Sequence, residues 1–505
     1  MQLSGFLDES NYSFTRFFIQ RTLAFIYFIA FLATINQFKG LCGERGLLPV
    51  QHFLKRITFW DSPSVFFAHF SDGFALVLAW VGLILALIAL SGLSDAFGLA
   101  TSVLVWFSLW LLYLSFVNVG QTFYSFGWES LLLESGFLAI FLGPTRSPVP
   151  TLIIWLFRWI VFRLMFGAGL IKIRGDDCWR SLTCMQYHYE TQPMPNPLSW
   201  YFHHLPVWIQ KGSVLFTHFV ELIVPFFIFG PRWIRGIAGL LTILFQGTLI
   251  LSGNLSWLNY LTIVLTISCF DDSLFLWLGL KLGFTNWPQW LTWAYWLNQG
   301  PSVTGHPALL IYGWTAFVLL MSIRPVMNLV SSRQIMNTSF DPLHLINTYG
   351  AFGSVTRIRN EIIIEGTTDP LPGPGTQWKE YEFKGKPGNP TKRPPVVAPY
   401  HMRLDWLMWF AAMGDYSYYP WTLNLVGKLL QNDSAILDLI AHNPFPDQPP
   451  KFIRAELYEY RFTDWGEKES RIWNRRRVGP YLPPLSLGNA NFRAILQDQG
   501  WLQNN

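Results

Sequence analysis

A membrane-spanning helix needs about 20 consecutive apolar residues, and stretches of that kind recur through the first two thirds of this 505-residue chain. They lie near 15–35, 74–93, 98–117, 125–142, 150–171, 213–230, 235–252, 255–270 and 306–323. Segments this apolar and this long cannot all be hidden in one water-soluble core, so the expected solvent is lipid. The charges show where that regime ends: residues 1–325 hold 17 Lys/Arg and 14 Asp/Glu, whereas the shorter remainder, 326–505, holds 19 and 17. The expected fold class is a polytopic α-helical membrane bundle of about nine spans, give or take one or two, followed by a small α+β domain. The Trp-rich segment 272–298, broken by Gly and Pro, reads as an interfacial or re-entrant piece.

The expected organisation is a transmembrane part over 1–325, a connector over 326–339, an α+β domain over 340–485 and a tail over 486–505. Nine spans put the long loops 36–73 and 172–212 on one face with the C-terminal domain, and the short connections bearing Arg146, Arg232 and Arg235 on the other. Short loops set the positive-inside bias, so the C-terminal domain is expected outside the cytosol. In that domain 356–367, 381–384 and 453–462 read as strands, and the residues before Pro444 as two short helices, the second capped by Asp433 or Ser434.

The net charge of +5 divides as +3 and +2 between the two parts, so no nucleic-acid partner is expected. Gly-x-Ser-x-Gly, His-Glu-x-x-His and Walker-type motifs are missing, which sets aside the common lipase, metalloprotease and nucleotide-binding chemistries. No cofactor and no metal site are expected.

Ionisable side chains inside spans are costly unless paired, and here they are Glu129, Glu134, Arg158, Arg163, His218 and Glu221. Glu129 and Glu134 are five apart on one predicted helix, and Arg158 and Arg163 five apart on the next. Antiparallel packing through the short 143–149 turn sets them opposite one another and predicts at least one buried Glu–Arg pair. Such pairs either fix helix register or line a polar cavity. His218 and Glu221 share a helical face, but no second His/Glu pair completes a metal site.

The densest region is FGAGLIKIRGDDCWRSLTCMQYHYETQPMPNP (166–197). Gly167 and Gly169 permit close helix approach, and Lys172 and Arg174 end the helix. One reading is a re-entry loop capped by Asp176. The other is a site with Lys172 as a partly desolvated base. In an oxidising compartment Cys178 and Cys184 would close a small ring.

This region resembles the central motif of the lipase maturation factor family, as do HFVELIVPFFIFG, FQGTLILSGNLSWLNYLTIVLTISCFDD, RNEIIIEGT, KRPPVVAPYHMRLDWLMWFAA and LLQNDSAILDLIAHNPFPDQPPKFIRAELYEYRFT. The resemblance covers nearly the whole chain after about residue 30. It implies a membrane-resident factor that assists folding, assembly and maturation of secreted lipases. The implied location is the endoplasmic reticulum membrane in a eukaryote or the inner membrane in a bacterium. It also implies a lumenal C-terminal domain and a secreted lipase as partner. Gly385 departs from the Cys expected there in animal members. Candidate client contacts are Phe445, Phe452, Tyr458 and Tyr460, on a strand expected to offer a free edge and on the segment before it. A fainter resemblance to vitamin K-dependent gamma-carboxylase, through Gly169, Lys172, Asp176 and Trp179, implies the alternative: a membrane enzyme acting on a lipid or quinone-like molecule with Lys172 as catalytic base.

Overall fold

A computed structural model describes residues 11–281, 303–467 and 471–502. Residues 282–298 of the expected interfacial segment lie outside the described residues. The principal helices of the first part are α1 (Ser13–Cys42), α2 (Asp72–Ser91), α3 (Leu99–Val119), α4 (Gly127–Ala139), α5 (Thr151–Arg174), α6 (Val207–Phe227), α7 (Arg232–Ser252), α8 (Leu258–Cys269) and α9 (Ala308–Val330). Seven of them, all but α4 and α8, are long and apolar enough to cross a membrane. The nine expected spans thus resolve into seven full-length helices and two shorter ones.

The two shorter helices still run between the same ends of the bundle. Glu129, at the start of α4, meets Arg403 of the C-terminal part at 2.6 Å. Just beyond its other end, the Gly143 carbonyl accepts from Gln20 of α1 at 2.9 Å. At the start of α8, Trp257 donates to the Trp128 carbonyl at 3.1 Å. Its last turn presents the Ser268 and Cys269 carbonyls to Arg158 (2.8 Å) and Arg235 (2.9 Å).

The end of the bundle away from the C-terminal part is closed by polar contacts around α1. Asp272 caps α1 by accepting from the Ser13 and Phe14 amides at 3.0 and 2.8 Å, where a carboxylate meets unsatisfied N–H groups and the positive end of the helix dipole. Arg16 donates to the Ser147 carbonyl at 2.8 Å, and Arg21 pairs with Asp95.

The C-terminal part is built on a four-stranded antiparallel sheet of β1 (Arg359–Thr367), β2 (Lys379–Glu380), β3 (Phe452–Phe462) and β4 (Trp473–Leu485), in the order β2-β1-β3-β4. β1 carries three consecutive isoleucines because both its faces are covered. Ile362 and Ile364 enter the main core, while Ile363 joins Tyr460, Phe462 and Trp473 on the other face. Helices α10 (Arg403–Ala411), α11 (Trp421–Leu429), α12 (Ser434–Leu437) and α13 (Ala490–Asp498) complete it. Asp433 caps α12 by accepting from the Ala435 amide at 3.1 Å.

One expectation is overturned here. β3 does not offer a free edge: it pairs with β1 from Arg359↔Tyr460 to Thr367↔Phe452, and with β4 from Phe462↔Trp473 to Ile453↔Leu485. The edge on that side belongs to β4, whose run of arginines and whose Pro480, Pro483 and Pro484 obscure the strand pattern; proline is tolerated at a sheet edge, where an N–H is dispensable.

Both long loops dock on the C-terminal part. Asn424 of α11 donates to the Leu47 carbonyl at 2.9 Å. Arg359 donates to the Glu190 and Pro193 carbonyls at 3.0 Å each. Asn254, between α7 and α8, uses its whole amide there: it donates to the Pro195 and Pro395 carbonyls and accepts from the Val397 and Ala398 amides, all within 3.0 Å.

Candidate functional site

The expensive charges of the bundle converge on its seam with the C-terminal part. Glu134 and Arg163 form a buried ion pair, and surrounding groups bond to both of its charges. The Asn347 amide and side chain donate to Glu134 at 3.0 and 3.1 Å, and the Tyr349 hydroxyl at 2.6 Å. Arg163 in turn donates to the Asn347 carbonyl at 2.5 Å. Both charges take further hydrogen bonds from the segment 347–349, which helps to make a buried pair tolerable.

Glu129 is not answered by Arg158, the partner that helix spacing suggested. Its partner is Arg403 at 2.6 Å, with the Tyr113 hydroxyl also donating to Glu129. Arg403 further donates to the Phe123 carbonyl at 2.8 Å, and its guanidinium lies 3.5 Å from the centroid of the Tyr124 ring. His401 stands 3.8 Å from Glu129, and burial holds its imidazole down at about 4. Arg158 instead donates to the Ser268 carbonyl and to the Tyr12 hydroxyl at 3.0 Å, so it ties α5 to α8 and α1.

Lys172 pairs with Glu221, and its ammonium sits 5.3 Å from the centroid of the Trp179 ring. Glu221 lies in a single π-helical turn, Phe219–Ile223, within α6. Pro225 explains that turn: it has no N–H for the carbonyl four residues back, that of Glu221, and its ring crowds it. Gly169 makes the approach possible, because a Cβ there would come within 2.7 Å of Leu222 and 2.9 Å of Glu221. His218 faces the Trp179 carbonyl at 3.0 Å. Among the described residues no group of His, Cys, Asp and Glu could hold a metal ion.

The loop after α5 is pinned twice. Cys178 and Cys184 are joined in a disulfide. Asp176 caps the short helix Asp177–Arg180 and clasps Arg357 at 2.6 Å, which with the Cys178 amide draws its carboxyl down to about 2.

Two of the candidate client contacts are not at the surface. Tyr460 is fully buried, with its hydroxyl donating to the Gly388 carbonyl at 2.6 Å, and Phe445 is buried against Gly366 and Tyr381. Phe452 and Tyr458 are half-buried, the latter beneath the Arg475 guanidinium at 4.9 Å. The most informative residues missed from sequence are Arg403, Asn347 and Tyr349. Arg403 was visible only as a lone cation between apolar residues in HMRLDWLMW.

A helical bundle with apolar spans, whose interior acids are held partly by residues of a small sheet domain docked on one end, defines a polytopic membrane protein that works as a single bundle-and-domain unit. The family described as lipase maturation factor transmembrane domain matches residues 14–277, and that described as lipase maturation factor C-terminal domain matches 345–483. The chain belongs to the lipase maturation factor family. It is 45% identical to human lipase maturation factor 1 over 98% of this chain and 91% of that protein. The mouse protein of that name is 46% identical over 95% and 88%, and rat lipase maturation factor 2 is 32% identical over 95% and 84%. No solved structure matches.

Proposed function

We propose that this protein is a membrane-resident factor that assists the folding, assembly and maturation of secreted lipases. The observation that carries this reading is the similarity to proteins named lipase maturation factor 1, which runs through bundle and domain alike. In this reading the bundle, 1–325, is the anchor, 326–339 the connector, 340–485 the working domain and 486–505 its tail. The membrane is that of the endoplasmic reticulum, with the C-terminal domain and the loops 36–73 and 172–212 on the lumenal side. The Cys178–Cys184 disulfide, in a loop docked on the domain, supports that side, since disulfides persist in oxidising compartments. Of the client contacts first considered, Phe452 and Tyr458 stay in view, because Phe445 and Tyr460 are occupied in the core.

The enzyme alternative has no support in the comparisons and is set aside. Its proposed base, Lys172, is engaged by Glu221. The test is complementation of lipase-secreting cells lacking their own maturation factor. The full chain is expected to restore secreted lipase activity, and truncation of 340–505 to abolish the rescue. Unchanged secretion from the truncated protein would overturn the reading.

A further inference from the structure

One cavity of about 600 Å³ remains at the seam after the ion pairs are accounted for. Leu164 and Ile171 of α5 with Leu258 of α8 line it from the bundle, and Trp406 and Phe410 of α10 line it from the domain. Leu164 lies seven residues below Ile171, about 10 Å of helix, so the cavity extends from the domain down into the apolar bundle. The volume is within the ~300–1,000 Å³ of small-molecule sites, and the lining is mostly aromatic and aliphatic, as such sites are.

Two further features mark it as a ligand site rather than a packing fault. No Asp, Glu, Lys or Arg lines it among the described residues, and its one imidazole, His188, is held down at about 4 by burial and by Lys172, hence neutral. A charged ligand would therefore enter without a counterion from the lining, which disfavours it. In addition, Phe352 lines it in a left-handed backbone conformation, with φ of 55°. Such conformations in non-glycine residues are costly and concentrate at ligand clamps. The Phe352 ring packs on His188 at 5.2 Å, and its carbonyl accepts from the Trp179 indole at 2.9 Å, so surrounding contacts hold that conformation in place.

We infer that this cavity binds an uncharged single-chain amphiphile of the monoacylglycerol class, with its chain along Leu164 and Ile171 and its hydroxylated head toward His188 and Asn337. The site performs no chemistry on the ligand and is independent of the identity of any client.

The full-length protein in phosphatidylcholine vesicles is irradiated with diazirine-tagged monooleoylglycerol, or with lysophosphatidic acid carrying the same tagged chain. The neutral probe is expected to form adducts within 349–356 and 406–413. Excess untagged monooleoylglycerol is expected to lower them by about tenfold or more, and the anionic probe to label those segments about tenfold less. Leu164→Trp and Leu258→Trp, each filling the bundle side, are expected to lower labelling in vesicles where the thermal midpoint is kept. Competition in the unsubstituted protein decides if neither variant folds. Equal labelling by the anionic probe, or uncompeted adducts spread over the lipid-facing surfaces of α2 and α7, would overturn the assignment.

Discussion

The bundle buries its ion pairs, as the C-terminal domain does at Arg359, Glu361 and Lys386, but the domain also carries a second set on the outer strand of its sheet. In the bundle and its seam, Glu129, Glu134, Arg163, Lys172 and Arg403 are all buried, and each is answered. On the sheet, Arg475, Arg476 and Arg477 of β4 pair with Glu380, Glu459 and Glu456, the side chains of Arg476 and Arg477 being 79% and 55% exposed over glutamates that are themselves buried. The same chemistry has different consequences. Breaking a pair buried on both sides leaves an uncompensated charge where water cannot reach it, whereas an exposed arginine exchanges one solvated state for another, and Glu459 keeps a second arginine, Arg461, at 2.7 Å. The bundle's pairs therefore position the domain, and the exposed arginines of β4 only dress its surface.

That contrast is sharpest at Arg403. Arg403→Met leaves Glu129 unpaired and is expected to cost about 3–5 kcal/mol, seen as a lower thermal midpoint in detergent and as proteolytic release of the domain. Combining it with Glu129→Gln is expected to restore much of the loss. A full loss in the double variant would mean that packing, not charge, joins the two parts.

Lys172→Met is expected to destabilise by a similar mechanism, somewhat less because Lys172 answers Glu221 alone, whereas Arg403 also holds the Phe123 carbonyl. Pairing it with Glu221→Leu is expected to recover both stability and lipase maturation. A folded double variant without maturation activity would return a functional role to Lys172 and blur the distinction between anchoring and working charges.

Asp176 tests the boundary between the two regimes, because it is at the seam yet partly exposed. Its carboxyl is held near 2 against an ordinary 3.8. The folded form thus favours the ionised group, so its stabilisation is complete above about pH 4 and is lost as the pH falls toward 2. Asp176→Asn is expected to remove that dependence, at ~0.2–1 kcal/mol, measured as a difference in thermal midpoint between pH 5 and pH 2.5. The smallest effect is expected from Arg476→Ala, below about 0.5 kcal/mol; a large loss there would refute the view of the exposed arginines as surface dressing.

Much of the architecture was legible in the residues. Apolar length located the nine principal helices of the bundle, and the matched five-residue spacing of Glu129/Glu134 and Arg158/Arg163 anticipated Glu134–Arg163, because adjacent helices joined by a short turn share a local frame. It misassigned Glu129, whose partner lies 274 residues away. No local spacing carries that information. The π-turn that aims Glu221 at Lys172 was written in Pro225, although its direction depends on Gly169 letting α5 come close. β4 escaped notice because strand patterning presumes alternation and few prolines, a rule that an edge strand need not follow.

By itself, the sequence determined the solvent of each part, the helices that lipid demands, and the family, since these depend on local composition and on long unbroken motifs. The tertiary structure alone decided which charges meet, that β3 is an interior strand, that Phe445 and Tyr460 are core, and that a cavity without charged lining lies between bundle and domain. Each of these depends on groups far apart in the chain being brought together. The free energy that selects them comes from satisfying buried polar groups in a low-dielectric interior, a condition that only the assembled fold can create.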